Sequence, residues 1–398
     1  MGIKIGINTS GFILWGGGVD FIRIILKGLM AVKERHGLEI EVFITQPKQD
    51  NSLKPVLRRV IWKLVKLKRF KPVPPPDISK LEEVFFLETH IRPIFCRNQE
   101  EFLDKSKSLD IIFPFFELAP KGFSKPWLGY IYDFQHKYYP GFFNKKESLL
   151  RDAFFHKMLT LSKALIVNSK AVASDAKKFF PSASARVYAM PFCPLADDNS
   201  KLDAIDISEY KLPTNYFLIS NQFWIHKDHK TAFLAFAEFI TQNPELNFKL
   251  VCTGAQHDYR NPGYLDELIG LINQLGLSEK VILLGFIPKS HQRKIMWNAR
   301  ALVQPTLFEG GPGGGSVFEA VSMGIPVVMS DIPVNLEIQG NNEVYFKTGD
   351  SQSLAQALKQ VLNLSKLPIQ EVEKRNKERQ IALGDFLVKV IQNQLIDV

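Results

Sequence analysis

At 398 residues, with 45% hydrophobic and 23% charged side chains, the chain is globular in composition, too long for one ordinary α/β core and long enough for two. Its net charge of +9 is local: Lys54, Arg58, Arg59, Lys63, Lys66, Lys68, Arg69 and Lys71 occur without one acid, and elsewhere the two signs nearly balance, which argues against a nucleic-acid-binding surface. Cys96, Cys193 and Cys252 are far apart and form no CxxC pair, no run approaches the ~20 apolar residues of a spanning helix, and the N-terminus lacks a signal-peptide pattern. These features exclude a disulfide framework and predict a cytoplasmic protein.

In chain order, Lys4–Asn8 reads as a strand running into the glycine turn Trp15-Gly16-Gly17-Gly18-Val19, and Glu39–Thr45 as a second strand. In Leu53–Phe70, Val56, Val60, Leu64 and Leu67 recur at helical spacing among the cations. Such a helix either lies on an anionic membrane with Trp62 as an interfacial anchor, making the protein peripheral on the inner face, or packs as an ordinary surface helix with solvated charges. Asp110–Phe116, Leu128–Asp133 and Ala164–Ser169 complete the strands of the first half, and His136 follows the fourth of them in Tyr132-Asp-Phe-Gln-His136.

A boundary is expected at Pro191-Phe-Cys-Pro194 and the polar stretch after it. Beyond it, the strands Tyr216–Ser220, Phe248–Gly254, Val281–Phe286, Ala301–Thr306 and Pro326–Asp331 alternate with the helices Asp228–Thr241, Asn261–Leu275 and Ser290–Arg300. Alternation of this kind predicts an α/β chain of two Rossmann-like, doubly wound domains, residues 1–195 and 213–379, with a terminal helix at about 380–398 that can return to the first. A ligand is then expected in the crevice at the carboxyl ends of the strands.

The densest chemistry lies in Pro305-Thr-Leu-Phe-Glu-Gly-Gly-Pro-Gly-Gly-Gly-Ser-Val-Phe-Glu319. Gly310, Gly311, Gly313, Gly314, Gly315 and Ser316 let backbone approach a ligand, and the start of the helix favours a phosphate. Glu309 and Glu319 flank the loop as acceptors for sugar or ribose hydroxyls. Ser316-x-x-Glu319 also fits a capping box with no ligand at all. The other candidates are Asn221, Gln222 and Lys227 in Ser220-Asn-Gln-Phe-Trp-Ile-His-Lys-Asp-His-Lys230, with Lys227 either a phosphate ligand or a solvated charge. His136 is either a site residue or a histidine bonded at a strand end, with Asp133 beside it to orient it or end the strand. His226, Asp228 and His229 match no common zinc spacing.

The run Glu309–Glu319, followed by Ala-Val-Ser-Met-Gly-Ile-Pro-Val-Val-Met-Ser-Asp331 and Tyr345-Phe-Lys-Thr-Gly-Asp350, resembles the signature of family 4 retaining glycosyltransferases. Nine residues separate the two glutamates where that family usually has seven, a two-residue glycine insertion. The resemblance implies a GT-B fold: an acceptor-side N-terminal domain facing a C-terminal domain that binds a nucleoside-diphosphate sugar as donor substrate, with no cofactor and no metal. It implies that Lys227 and the glycine loop hold the diphosphate, that Glu319 holds the ribose and Glu309 the sugar, that His136 sits at the reacting face, and that Gly16, Gly17 and Gly18 wall the cleft. Asn221 or Gln222 stands where similar enzymes carry an arginine. The implied activity is metal-independent hexosyl transfer to a glycan or lipid-linked acceptor in polysaccharide assembly. A sugar-nucleotide epimerase, a phosphorylase and an inactive scaffold in a glycan-assembly complex are the rival readings.

Overall fold

The computed structural model describes residues 2–45, 78–258, 260–338 and 340–396. The basic segment 53–71, with its expected membrane contact, lies outside the described residues. The first sheet comprises β1 (Ile3–Asn8), β2 (Leu38–Thr45), β3 (Ile94–Cys96), β4 (Ile111–Phe115), β5 (Trp127–Ile131), β6 (Ala164–Val167) and β7 (Arg186–Ala189), in the order β3-β2-β1-β4-β5-β6-β7. The second comprises β8 (Tyr216–Ser220), β9 (Lys249–Thr253), β10 (Val281–Gly285), β11 (Ala301–Gln304), β12 (Val327–Ser330) and β13 (Glu343–Phe346), in the order β10-β9-β8-β11-β12-β13. Every described pairing is parallel, as in Ile5 opposite Ile40 and Leu302 opposite Val327. The fold is two Rossmann-like parallel sheets, as expected. The strands β3, β7 and β13 were not among the expected ones. They are three- or four-residue edge strands, and Phe95 in β3 is exposed, so no buried alternation marks them.

Central strands β4, β6, β8, β11 and β12 are buried at every residue, which is why they read as continuous apolar runs. The helix Gly16–His36 covers the first sheet with Phe21, Ile22, Ile25, Leu26, Leu29 and Val32 at helical spacing, and ends at Gly37 in the left-handed region. His229–Gln242 does the same for the second sheet through Ala232, Phe233, Phe236 and Phe239. Burying each such Phe stabilises the fold by about 1.5–3 kcal/mol.

The last helix, Ile369–Ile396, serves both sheets. Asn376 donates to the Ser322 carbonyl at 2.9 Å, whereas Leu383, Leu387, Val388 and Ile391 complete the core of the first sheet. A Cβ on Gly384 would lie 2.2 Å from the Gly28 carbonyl oxygen, so glycine is required for the two helices to approach this closely. The segment between β7 and β8 is held to the first helix by Arg23, which pairs with Asp197 at 2.6 Å and with Glu88. Among the described residues no helix is long and apolar enough to cross a membrane.

Candidate active site

In both sheets the order reverses beside the first strand, between β1 and β4 and between β8 and β11, and each reversal opens a crevice at the strand ends. Lys227 follows β8 and Glu309 follows β11, so neighbouring strands deliver both to the second crevice. Lys227 is the last residue of a 3-10 turn, Ile225–Lys227. The loop after β11 is joined to that turn, with Leu307 N–H and Thr306 Oγ1 donating to the His226 carbonyl at 2.8 and 3.2 Å. The Lys227 ammonium and Glu309 carboxylate then meet as an ion pair, with side chains only 9% and 11% exposed.

Gln304, at the end of β11, braces that pair. Its amide nitrogen donates to Glu309 Oε1 at 3.1 Å and to the Gly313 carbonyl at 2.8 Å, while its oxygen accepts from Asn221 Nδ2 at 2.7 Å. Asn221 thus has its amide nitrogen committed to Gln304, and its buried oxygen has no hydrogen-bond partner among the described residues. Gln222 is exposed beside it. Sequence reasoning missed Gln304 because a glutamine ending a buried strand carries no motif. Its burial beside a glycine-rich loop was the available signal.

The glycine loop turns through Gly313 and Gly314, both at positive φ, and the helix begins at Gly314 with Gly313 as its cap. Ser316 is thus inside the helix, and the capping-box alternative fails on geometry. Gly313 N–H donates to Asn335 Oδ1 at 2.7 Å and Gly314 N–H to the Gly311 carbonyl at 3.2 Å. A Cβ on Gly310 would lie 2.2 Å from the Tyr132 carbonyl, which places this loop directly against the loop after β5.

Glu319 is buried and paired with Arg293 at 2.7 Å and with Lys289 at 2.9 Å. Lys289 also reaches Asp20 across the cleft at 3.2 Å, which brings the first turn of the helix Gly16–His36 toward Glu319. Gly16 and Gly17 are exposed in that turn, while Gly18 is buried, and a Cβ there would sit 2.2 Å from the Phe12 carbonyl. Lys289 and Arg293 share one helix face at i and i+4, a spacing legible in sequence but lost among many surface cations.

His136 is placed differently from the expectation. Its ring lies between Phe143 and Phe155, its side chain is 1% exposed, and Nε2 is 2.8 Å from Asp152. Asp152, not Asp133, orients it. Asp133 accepts instead from Arg151 at 3.0 Å and from Gln135 N–H at 2.9 Å. Burial lowers the His136 pKa and raises that of Asp133. His226, Asp228 and His229 do not converge: His226 neighbours Arg260, Asp228 caps a helix at Thr231, and His229 stacks on Phe223. Burial pushes His226 down to about 2, with the Lys227 and Arg260 charges adding to it, and His229 down to about 3.

Two facing parallel sheets with this crevice define the GT-B architecture, seen across the full length of solved relatives. Anabaena HepE in complex with UDP and glucose superposes with a TM-score of 0.53 at 16% identity, covering 99% of this chain and 98% of that one. The lipopolysaccharide outer core galactosyltransferase WaaB superposes with a TM-score of 0.56 at 15% identity, covering 98% and 99%. Residues 203–380 match the family model of glycosyl transferases group 1. The O-antigen chain mannosyltransferase RfbU of Salmonella typhimurium is 25% identical over 241 residues, and the match spans 60% of each chain.

Proposed function

We propose that this protein is a retaining, metal-independent hexosyltransferase. It moves a sugar from a nucleoside diphosphate to a glycan or lipid-linked hydroxyl during surface polysaccharide assembly. The observation that carries this reading is the buried Lys227–Glu309 pair at the ends of β8 and β11, with Glu319 held by two further cations in the same domain. Burying an ion pair carries a desolvation cost, so such a pair is weak evidence of a purely stabilising role. A donor supplies a second partner for each member: Lys227 turns to the diphosphate, and Glu309 is released to accept sugar hydroxyls. Gly315 and Ser316, in the first helical turn, face the phosphate, and Glu319 takes the ribose.

The anomeric carbon–phosphate oxygen bond breaks as the acceptor oxygen bonds to the same face, and the acceptor proton passes to the leaving phosphate. Catalysis is then positioning plus stabilisation of leaving-group charge. The relatives support the substrate class, since HepE is seen with UDP and glucose and RfbU is named for O-antigen mannosyl transfer. Proton NMR of the product formed from UDP- and GDP-hexoses tests the stereochemistry. The donor's own anomeric configuration is expected in the product, and an inverted one would overturn the mechanism.

A second reading is supported by Asn221, which is tied to Gln304 where an arginine is expected: a scaffold that binds donor without turning it over. Nucleotide binding without transfer or donor hydrolysis would favour it.

A further inference from the structure

The helix Lys170–Phe179 of the first domain starts directly after β6 and leaves backbone N–H groups that its own turns cannot satisfy. Ser169 caps one of them by accepting Val172 N–H at 3.1 Å. Two more are met from the opposite domain. Lys170 N–H donates to Glu337 Oε2 at 2.9 Å and Ala171 N–H to Glu337 Oε1 at 2.8 Å, so both carboxylate oxygens are engaged. A carboxylate held by N–H groups at the positive end of a helix makes charge-assisted bonds, roughly twice as strong as neutral ones.

Glu337 is presented rigidly. It ends the 3-10 turn Asn335–Glu337 that follows β12, and Asn335 is fully buried. Asn335 Nδ2 donates to the Ser330 carbonyl at 2.8 Å, and the Asn335 carbonyl accepts from the Tyr345 hydroxyl at 3.2 Å. Asn335 Oδ1 is also the acceptor of Gly313 N–H at 2.7 Å, so the turn that carries Glu337 holds the later part of the glycine loop.

The earlier part of that loop is held by the same helix start. The Ser169 hydroxyl donates to the Gly310 carbonyl at 3.3 Å, and a Cβ added to Gly311 would lie 3.3 Å from Asn168 Cβ. Residues 168–171 of the first domain therefore meet the loop twice: at Gly310 and Gly311 directly, and at Gly313 through Glu337 and Asn335. With five glycines between Gly310 and Gly315, the loop has more backbone freedom to lose than any other stretch of its length. It keeps one shape only where outside contacts fix it.

We propose that Glu337 is a positioning residue that sets the glycine loop from across the cleft. The loop takes its phosphate-ready shape when Glu337 is seated on the helix Lys170–Phe179, with the two domains closed. Opening the cleft unseats Glu337 and loosens the loop and its diphosphate together. The inference rests on the glycosyltransferase reading for what the loop binds, but not for the bracing itself.

Hydrogen–deuterium exchange on the full chain tests it, read in peptides covering residues 310–316, with calorimetric titration of UDP and GDP in parallel. Glu337→Ala is expected to speed exchange there by about tenfold, while the melting temperature and the protection of β8 and β9 stay unchanged. Glu337→Gln, which keeps one acceptor oxygen, is expected to show a smaller change, and it decides the matter should Glu337→Ala melt early. Affinity for whichever nucleotide the parent binds is expected to fall about tenfold in Glu337→Ala, the equivalent of one charge-assisted hydrogen bond. Unchanged exchange in residues 310–316, or faster exchange with undiminished nucleotide affinity, overturns the proposal. Faster exchange beside no nucleotide binding to the parent upholds the bracing and breaks the donor reading instead.

Discussion

The loops after β8 and β11 and the loop after β5 all lie at the carboxyl ends of parallel strands, yet they handle polar residues in opposite ways. In the second sheet Lys227 and Glu309 are brought together at the crevice by neighbouring strands. In the first, His136 is turned into an aromatic shell and bonded to Asp152, and Asp133 to Arg151. One region buries a charge pair at its strand ends; the other uses its charges to stiffen a wall. Polar residues in a crevice are therefore distinguished by what holds them, more than by their type.

The largest effect that sharpens this contrast is expected from Lys227→Ala, which should lower kcat by about 10²–10³-fold, the scale of one donor to developing oxyanion charge. Steady-state kinetics with the best nucleotide sugar checks it, and full turnover would remove Lys227 from the reaction.

Next is a pH effect that is largest in the second region. His226 and His229 have folded pKa values of about 2 and about 3, below the unfolded value of about 6.5. The unfolded chain therefore binds more protons as pH falls through 6.5, and stability drops by up to about 1.4 kcal/mol per histidine for each pH unit. Urea melts between pH 7 and pH 5 should show the decline. His229→Phe, which keeps the stack on Phe223, should remove the His229 share of the slope and leave that of His226; an unchanged slope would place the cause elsewhere.

Gln304→Ala releases Glu309, Asn221 and Gly313 together and should cost about tenfold in kcat, the equivalent of one buried hydrogen bond. A change confined to donor KM would make it a binding residue and not one that positions Glu309.

The smallest effect is expected from His136→Ala: under tenfold in kcat, with about 1–3 kcal/mol of stability lost as the buried ring leaves a gap between Phe143 and Phe155, while Asp152 keeps its pair with Lys137. A loss as large as that of Lys227→Ala at unchanged stability would place His136 on the donor and erase the contrast.

Sequence carried the second region well because its residues are local. The glycines, Glu309 and the turn bearing Lys227 each follow a buried apolar strand, and strand order alone brings them together. It carried the first region less well. The partner of His136 comes from a helix sixteen residues on, where nothing in the sequence links the two. Gln304, Lys289 and Arg293 were also illegible, since a strand-end glutamine and two helix cations acquire meaning only from what they touch. The short edge strands escaped for the same reason, having too few buried residues to show a period.

The central claim is that the Lys227–Glu309 pair marks a nucleotide-sugar site. Differential scanning fluorimetry against UDP-, GDP-, ADP- and dTDP-sugars, in EDTA and in Mg²⁺, tests it most directly. Stabilisation by one nucleotide series, the same in EDTA and lost in Lys227→Ala, is the predicted result. No stabilisation by any of them, or equal stabilisation of the Lys227→Ala protein, would contradict it.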